Sequence, residues 1–213
     1  MNDFNEAEES LLDLINLNPN TENLLISLAD LYRFEEKYDE AIIYYSKIID
    51  SKKNVFLDKW RLLYLRGICY ERSFKWKLAE KDFLDSLKLK SDSPQVLNYL
   101  AYGWLEQNRN FDLAMEMLLK AYNSDPQSYY ILDSLAWAYY KINQFEKAAE
   151  LMEEVITLAP GEAISLDHLG DIYFAMNRKR EAIYFWKQAK DLSEPEDLLI
   201  DTINKKLEKN YAG

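Results

Sequence analysis

His168 is the single histidine of the chain, and Asp167 and Asp171 stand beside it at spacings that share one helical face. Imidazole and carboxylate can ligate a metal together. A zinc site normally takes three or four protein ligands, however, and no third imidazole or thiolate is at hand. His168 therefore reads as a packing or helix-face residue, with no metal and no cofactor expected. Cys69 is the single cysteine and sits two places after Gly67. A free cysteine in such company behaves as a small buried hydrophobe. The only histidine that could activate its thiol is about a hundred residues away. The sequence shows no phosphate loop, no dinucleotide fingerprint and no nucleophile elbow. Carboxylate pairs such as Glu35 with Glu36 and Glu153 with Glu154 fall on expected solvent faces or turns. No catalytic residue is expected, and the chain reads as a non-enzyme.

The elements that carry these residues are paced by alanine. Ala7, Ala41, Ala79, Ala114, Ala148 and Ala182 are separated by 34, 38, 35, 34 and 34 residues. A period near 34 marks stacked helical hairpins. About twelve residues before each of the last five lies a second small residue: Ala29, Gly67, Ala101, Ala136 and Gly170. Three places later comes an aromatic: Tyr32, Tyr70, Trp104, Tyr139 and Tyr173. Small residues let two helices cross closely, and the aromatics are expected to fill the space beside the crossing. Pro19, Pro126, Pro160 and Pro195 end the units, since proline cannot continue a helix.

This spacing predicts first helices over about 22–34, 58–72, 94–107, 128–142 and 162–176. Second helices are predicted over about 38–50, 76–90, 111–124, 145–158 and 179–192. The fold class is all-α: one right-handed superhelical solenoid domain over 1–213. It comprises a half repeat at 4–19 and five repeats at about 22–55, 60–93, 94–128, 129–162 and 163–196. Residues 51–58 add about four residues between repeats and suggest an exposed connection. The turn 107–110 is one residue longer than its counterparts. A Ser193-x-x-Glu196 capping box with Pro195 opens a capping helix at about 195–210. Residues 4–16 align with a second helix that has no first helix. The expectation is a C-terminal part of a longer solenoid, with Leu11, Leu12, Leu14 and Ile15 partly uncovered and able to pair end to end.

Composition narrows the partner class. Of 213 residues, 48% are apolar and 30% charged, with five glycines and five prolines, a helix-rich globular profile. The net charge of −11 repels polyanions and anionic lipid, so neither nucleic acid nor membrane is an expected partner. No apolar stretch is long enough to cross a bilayer. Lone Cys69 and the acidic start without a leader favour the cytoplasm for the chain as given; an export signal further upstream would place it in the periplasm.

Taken together, the small, large and proline positions resemble the tetratricopeptide repeat. Leu135, Ala136, Tyr139, Ala148, Val155 and Pro160 carry the pattern best, with Leu169, Gly170, Tyr173, Ala182, Trp186 and Ala189 in the next repeat. The resemblance covers about 4–196. A finer similarity runs through Trp60, Arg66, Asp133, Ser134, Asp167 and His168 to the C-terminal region of long alphaproteobacterial proteins of this family. Some of those relatives are exported, and some are adaptors for an envelope protease.

The resemblance implies that first helices line a concave face and that ligand contacts come from set positions on them. Carried onto this chain, those positions give Asp30, Tyr64, Asn98, Tyr102, Asp133, Trp137, Tyr140, Asp167 and Asp171. No lysine or arginine falls on the key positions, so the carboxylate clamp of chaperone adaptors is absent. The expected groove is aromatic in its middle and acidic toward the C-terminal end. Its expected ligand is a protein or peptide segment with apolar anchors and a basic flank. The leading reading is a non-catalytic interaction scaffold or adaptor. Behind it stand a structural module that homodimerises through its N-terminal end, a substrate adaptor for an envelope protease, and helical-repeat RNA binding, which the acidic surface opposes.

Overall fold

The computed structural model describes residues 2–18, 21–51, 59–193 and 198–211. The described residues form twelve α-helices and no strand. They fall into two compact units, Met1–Val96 and Leu97–Gly213.

The first unit holds α1 (Asn2–Leu17), α2 (Glu22–Phe34), α3 (Tyr38–Ile49), α4 (Lys59–Arg72), α5 (Trp76–Leu89) and the opening residues of α6 (Pro94–Glu106). The second holds the rest of α6 and then α7 (Phe111–Ser124), α8 (Tyr129–Lys141), α9 (Phe145–Leu158), α10 (Ala163–Ala175), α11 (Lys179–Leu192) and α12 (Leu198–Tyr211). The helices lie within a residue or two of the spans that the alanine spacing predicts. The Ser193–Glu196 capping box and the connection at 51–58 fall largely outside the described residues, and the described part of the capping helix begins at Leu198.

Five hairpin turns share one geometry. A residue with positive φ follows each first helix: Glu36, Phe74, Asn108, Asn143 and Asn177. The next backbone N–H reaches back to the aromatic five residues earlier, as from Lys37 to Tyr32 O (2.8 Å), Gln144 to Tyr139 O (2.9 Å) and Arg178 to Tyr173 O (2.8 Å). This 6→1 bond with a left-handed residue at the helix end is a Schellman closure. Asparagine tolerates that backbone, and three of the five turns use it. The longer turn after α6 absorbs its extra residue with a second left-handed asparagine, Asn110.

The last five paced alanines and the small residues opposite them are buried, and Ala7 is half-buried. Gly67 sets the closeness of α4 and α5. A methyl group there would lie 2.6 Å from Phe83 Cε1. At Gly170, on α10, it would lie 2.5 Å from Trp186 Nε1 on α11. The residue four places after each of the last five paced alanines is the largest member of the crossing: Tyr45, Phe83, Leu118, Met152 and Trp186, all fully buried. The space beside the crossing is thus filled from the second helix. The aromatics of the first helix pack beside it, Tyr32 on Tyr44 and Tyr173 on Phe185, each at 5.5 Å between ring centroids, and both also reach the preceding helix. Tyr32 donates to Glu8 at 2.6 Å and Tyr173 to Glu153 at 2.5 Å.

One buried ion pair reinforces the first unit. Arg66 forks onto Asp82 at 2.7 and 2.9 Å and donates to Ser46 at 3.0 Å, so both charges are satisfied away from water. On α1, Phe4 is buried, and Leu11, Leu12 and Ile15 are half-buried against the same core.

The crossing predicts a sharp contrast among glycines. Gly67→Ala and Gly170→Ala must displace a ring in a filled core and should cost about 1–3 kcal/mol, outweighing the helix propensity gained. Gly161 has open space around it, so Gly161→Ala should stay within about 0.5 kcal/mol of the parent. Urea unfolding followed by circular dichroism distinguishes the three.

Candidate functional site

The nine positions carried over from the repeat pattern do not form one set. Asp30 and Tyr64 lie in the first unit. Asp30 accepts from Tyr45 Oη at 2.5 Å and from Arg33 at 3.2 Å. Tyr64 is half-buried, its ring 6.2 Å from that of Phe83.

The second unit brings six of the others together around His168. The imidazole lies face to face with the Trp137 indole at 4.1 Å between centroids. Trp137 stacks in turn on Tyr140 at 4.5 Å, and Tyr102 approaches His168 at 6.4 Å. A continuous aromatic row therefore crosses three consecutive first helices, α6, α8 and α10. Stacked pairs of this kind contribute about 0.5–1.5 kcal/mol beyond the area they bury. Trp137 is itself buried and donates its Nε1–H to Glu106 at 2.7 Å, so it forms the floor of the row. Tyr102 and Tyr140 are half-buried and form its reachable edge.

The acidic residues are engaged within the chain, which corrects the expected acidic end of the groove. Asp133 is buried, accepts from Ser165 Oγ at 2.5 Å and pairs with His168 Nδ1 at 2.9 Å. Lys206 of α12 places its ammonium 2.8 Å from both oxygens of Asp167 and 2.7 Å from Asp171 Oδ1. Asp171 also accepts from Trp186 Nε1 at 3.0 Å. A basic ligand would have to compete with Lys206 for the two carboxylates, so the attraction expected for a basic flank is blunted. Asn98, one helical turn before Tyr102, is buried, and its Oδ1 has no hydrogen-bond partner among the described residues.

His168 was singled out in the sequence for its neighbours on its own helix. Its actual partner is Asp133, 35 residues away, one repeat period back in the same register. The period itself held that signal. Lys206, which follows Asp171 at the same separation of 35, could have been found in the same way.

Cys69 is fully buried, and burial pushes its thiol up to about 12, which suits packing rather than nucleophilic attack. An open cleft of about 390 Å³ lies between the edge of the aromatic row and α12, with Tyr140, Asp171, Phe174 and Trp186 on one side and Thr202 and Lys206 on the other.

Comparison with known proteins bears on these arrangements. Tetratricopeptide repeat family models match residues 23–55 and 131–163. Both units thus carry tetratricopeptide repeats. A TPR repeat-containing protein of Pseudomonas aeruginosa is 27% identical over 110 residues, covering 52% of this chain and 18% of that relative. The chain thus spans less than a fifth of the length of that relative. Among solved structures, a tetratricopeptide repeat protein of Parabacteroides merdae matches 99% of this chain and 81% of its own, with a TM-score of 0.78 at 19% identity. MamA of Desulfovibrio magneticus RS-1 matches 84% of this chain and 98% of its own (TM-score 0.65, 20% identity). YrrB, described as a TPR protein with an unusual peptide-binding site, matches 93% and 99% (TM-score 0.61, 17% identity). At these identities the likeness is one of fold: an all-α solenoid of tetratricopeptide repeats.

The buried imidazole gives a test of the polar cluster. Burial alone lowers the pKa of His168, but the Asp133 carboxylate, with Asp167 and Asp171 behind it, raises it above the usual histidine range. A raised folded-state pKa contributes stability that is complete below about pH 6.5, the unfolded value, and is lost as pH rises through the folded one. Asp167 is also raised, by burial and by Asp171 against the pull of Lys206, and acts in the same direction in the acid range. Thermal melts should therefore show the wild type less stable at about pH 9 than at about pH 6.5, with His168→Gln flattening that step. A wild-type melting temperature that does not change between those pH values would falsify the assignment.

Proposed function

We propose that this protein is a non-catalytic interaction scaffold that docks a peptide or protein segment on the first-helix face of its second unit. One observation carries the reading: the row from Tyr102 through His168 and Trp137 to Tyr140. Its inner members are locked by stacking and hydrogen bonds, and its outer tyrosines remain half-exposed. A rigid aromatic edge supplies contact area at low entropic cost, which is the usual make-up of a binding hot spot. The fold supports this reading, since stacked helical repeats commonly present such faces to protein ligands. The apolar anchors remain part of the proposal. The basic flank does not, because Lys206 already holds Asp167 and Asp171.

Site-specific photocrosslinking tests the placement. A benzophenone amino acid at position 102, introduced in cells of the source organism, should give a discrete protein adduct. The same group at position 119, on the exposed side of the second helix α7, should not. An adduct at 119 alone, or at neither position, overturns the proposal.

Self-association is a second reading, favoured by α1, where Leu14 is 46% exposed and Leu17 77%. Under that reading light scattering shows a concentration-dependent dimer, and Leu14→Glu with Leu17→Glu returns it to monomer.

A further inference from the structure

Although the chain as a whole is strongly acidic, the C-terminal helix lines its cleft with lysines. Lys205, Lys206 and Lys209 face the cleft from α12, opposite Tyr140, Phe174 and Trp186. Lys205 and Lys209 stand four residues apart and so share one helical face. Lys206 is committed to Asp167 and Asp171. Lys205 and Lys209 are exposed and have no ion-pair partner among the described residues. The acids Asp167 and Asp171 are therefore held from within the chain, and among the described residues that line the cleft the charges without an ion-pair partner are Lys205 and Lys209. The opposite wall is aromatic, with Trp186 fixed by its bond to Asp171 and Phe174 at the mouth, its ring 5.5 Å from that of Trp186.

We infer that this cleft binds an acidic peptide segment, with side-chain carboxylates on Lys205 and Lys209 and a neighbouring apolar or aromatic side chain against Phe174 and Tyr140. The inference rests on the interaction reading above and names a subsite and a charge for it. Charge complementarity decides the ligand class. A basic segment would meet the ammonium groups of Lys205 and Lys209, and the one carboxylate among the described residues that line the cleft, Asp171, is already shared by Lys206 and Trp186. An extended polyanion such as RNA would reach beyond the cleft and meet a chain whose net charge is −11. A short acidic segment meets only the local lysines, and its association should be steered and salt-dependent.

The experiment is a display selection on the full chain. Random peptides are held between fixed flanking domains, so that only side-chain carboxylates, not a free C-terminus, are offered. Enriched sequences should pair aspartate or glutamate with phenylalanine, leucine or tryptophan. By fluorescence anisotropy their affinity should fall about tenfold with Lys205→Glu plus Lys209→Glu, and also with added salt. Lys205→Arg plus Lys209→Arg should retain it. Circular dichroism checks the fold of both variants. Enrichment of lysine or arginine, no enrichment, unchanged affinity in the charge-reversed variant, or displacement by single-stranded RNA at low salt would each overturn the inference. Position 102 lies outside the cleft, so its crosslink reports on the scaffold reading independently.

Discussion

Everything that this chain presents to a partner depends on how closely the two helices of each hairpin approach. That distance is set by a volume exchange at the crossing. Where the first helix offers glycine, the second supplies a large ring: Phe83 against Gly67 and Trp186 against Gly170. Where the first helix offers alanine at this position, the residue four places after the paced alanine is Tyr45, Leu118 or Met152, each fully buried. Interiors are packed to crystal-like density, so neither side of the exchange can change alone. Trp186 carries the consequence outward. The same indole that fills the space over Gly170 donates to Asp171 and walls the cleft. The core crossing and the C-terminal end of the candidate site are one packed object.

The polar cluster around His168 is the counterpart of that packing. Asp133, Asp167 and His168 are buried, and burying charge is costly unless each group is paired and hydrogen-bonded. Here each finds a partner on another helix. Asp133 bonds across from α8 to Ser165 and His168 on α10, and Lys206 bonds from α12 back to Asp167 and Asp171. Bonds of this kind contribute less through net energy than through register, because a slip of one residue would strand several charges. They hold α8, α10 and α12 in fixed alignment beside the aromatic row from Tyr102 to Tyr140.

Much of this was legible in the sequence. The alanine spacing placed the helices, because hairpin packing repeats the same steric requirement at every crossing and so leaves a period. The site was legible only in part. Position-by-position transfer picked out Tyr102, Trp137, Tyr140, Asp133, Asp167 and Asp171, which the fold does gather. It treated them as side chains facing a ligand. Exposure is a property of neighbours two or three helices along, and a single helix does not encode it. Hence Trp137 became a floor, the acids acquired internal partners, and the role of Lys206 went unseen in a helix read only as a solvating cap.

The fate of that cap carries the functional argument furthest. A terminal helix has to cover apolar surface, and α12 does so with Ile203 and Leu207 buried on the core of the second unit. Its remaining faces carry no core contact, and of their lysines only Lys206 is tied to the fold, through Asp167 and Asp171. Those faces hold Lys205, Lys206 and Lys209, set against the acidic first helices of the repeat behind them. The capping duty fixes where the helix lies, and its lysines then reset the charge of the surface it borders. A preference read from the repeats alone points toward basic ligands. Once the cap is in place, the lysines that line its cleft point the other way.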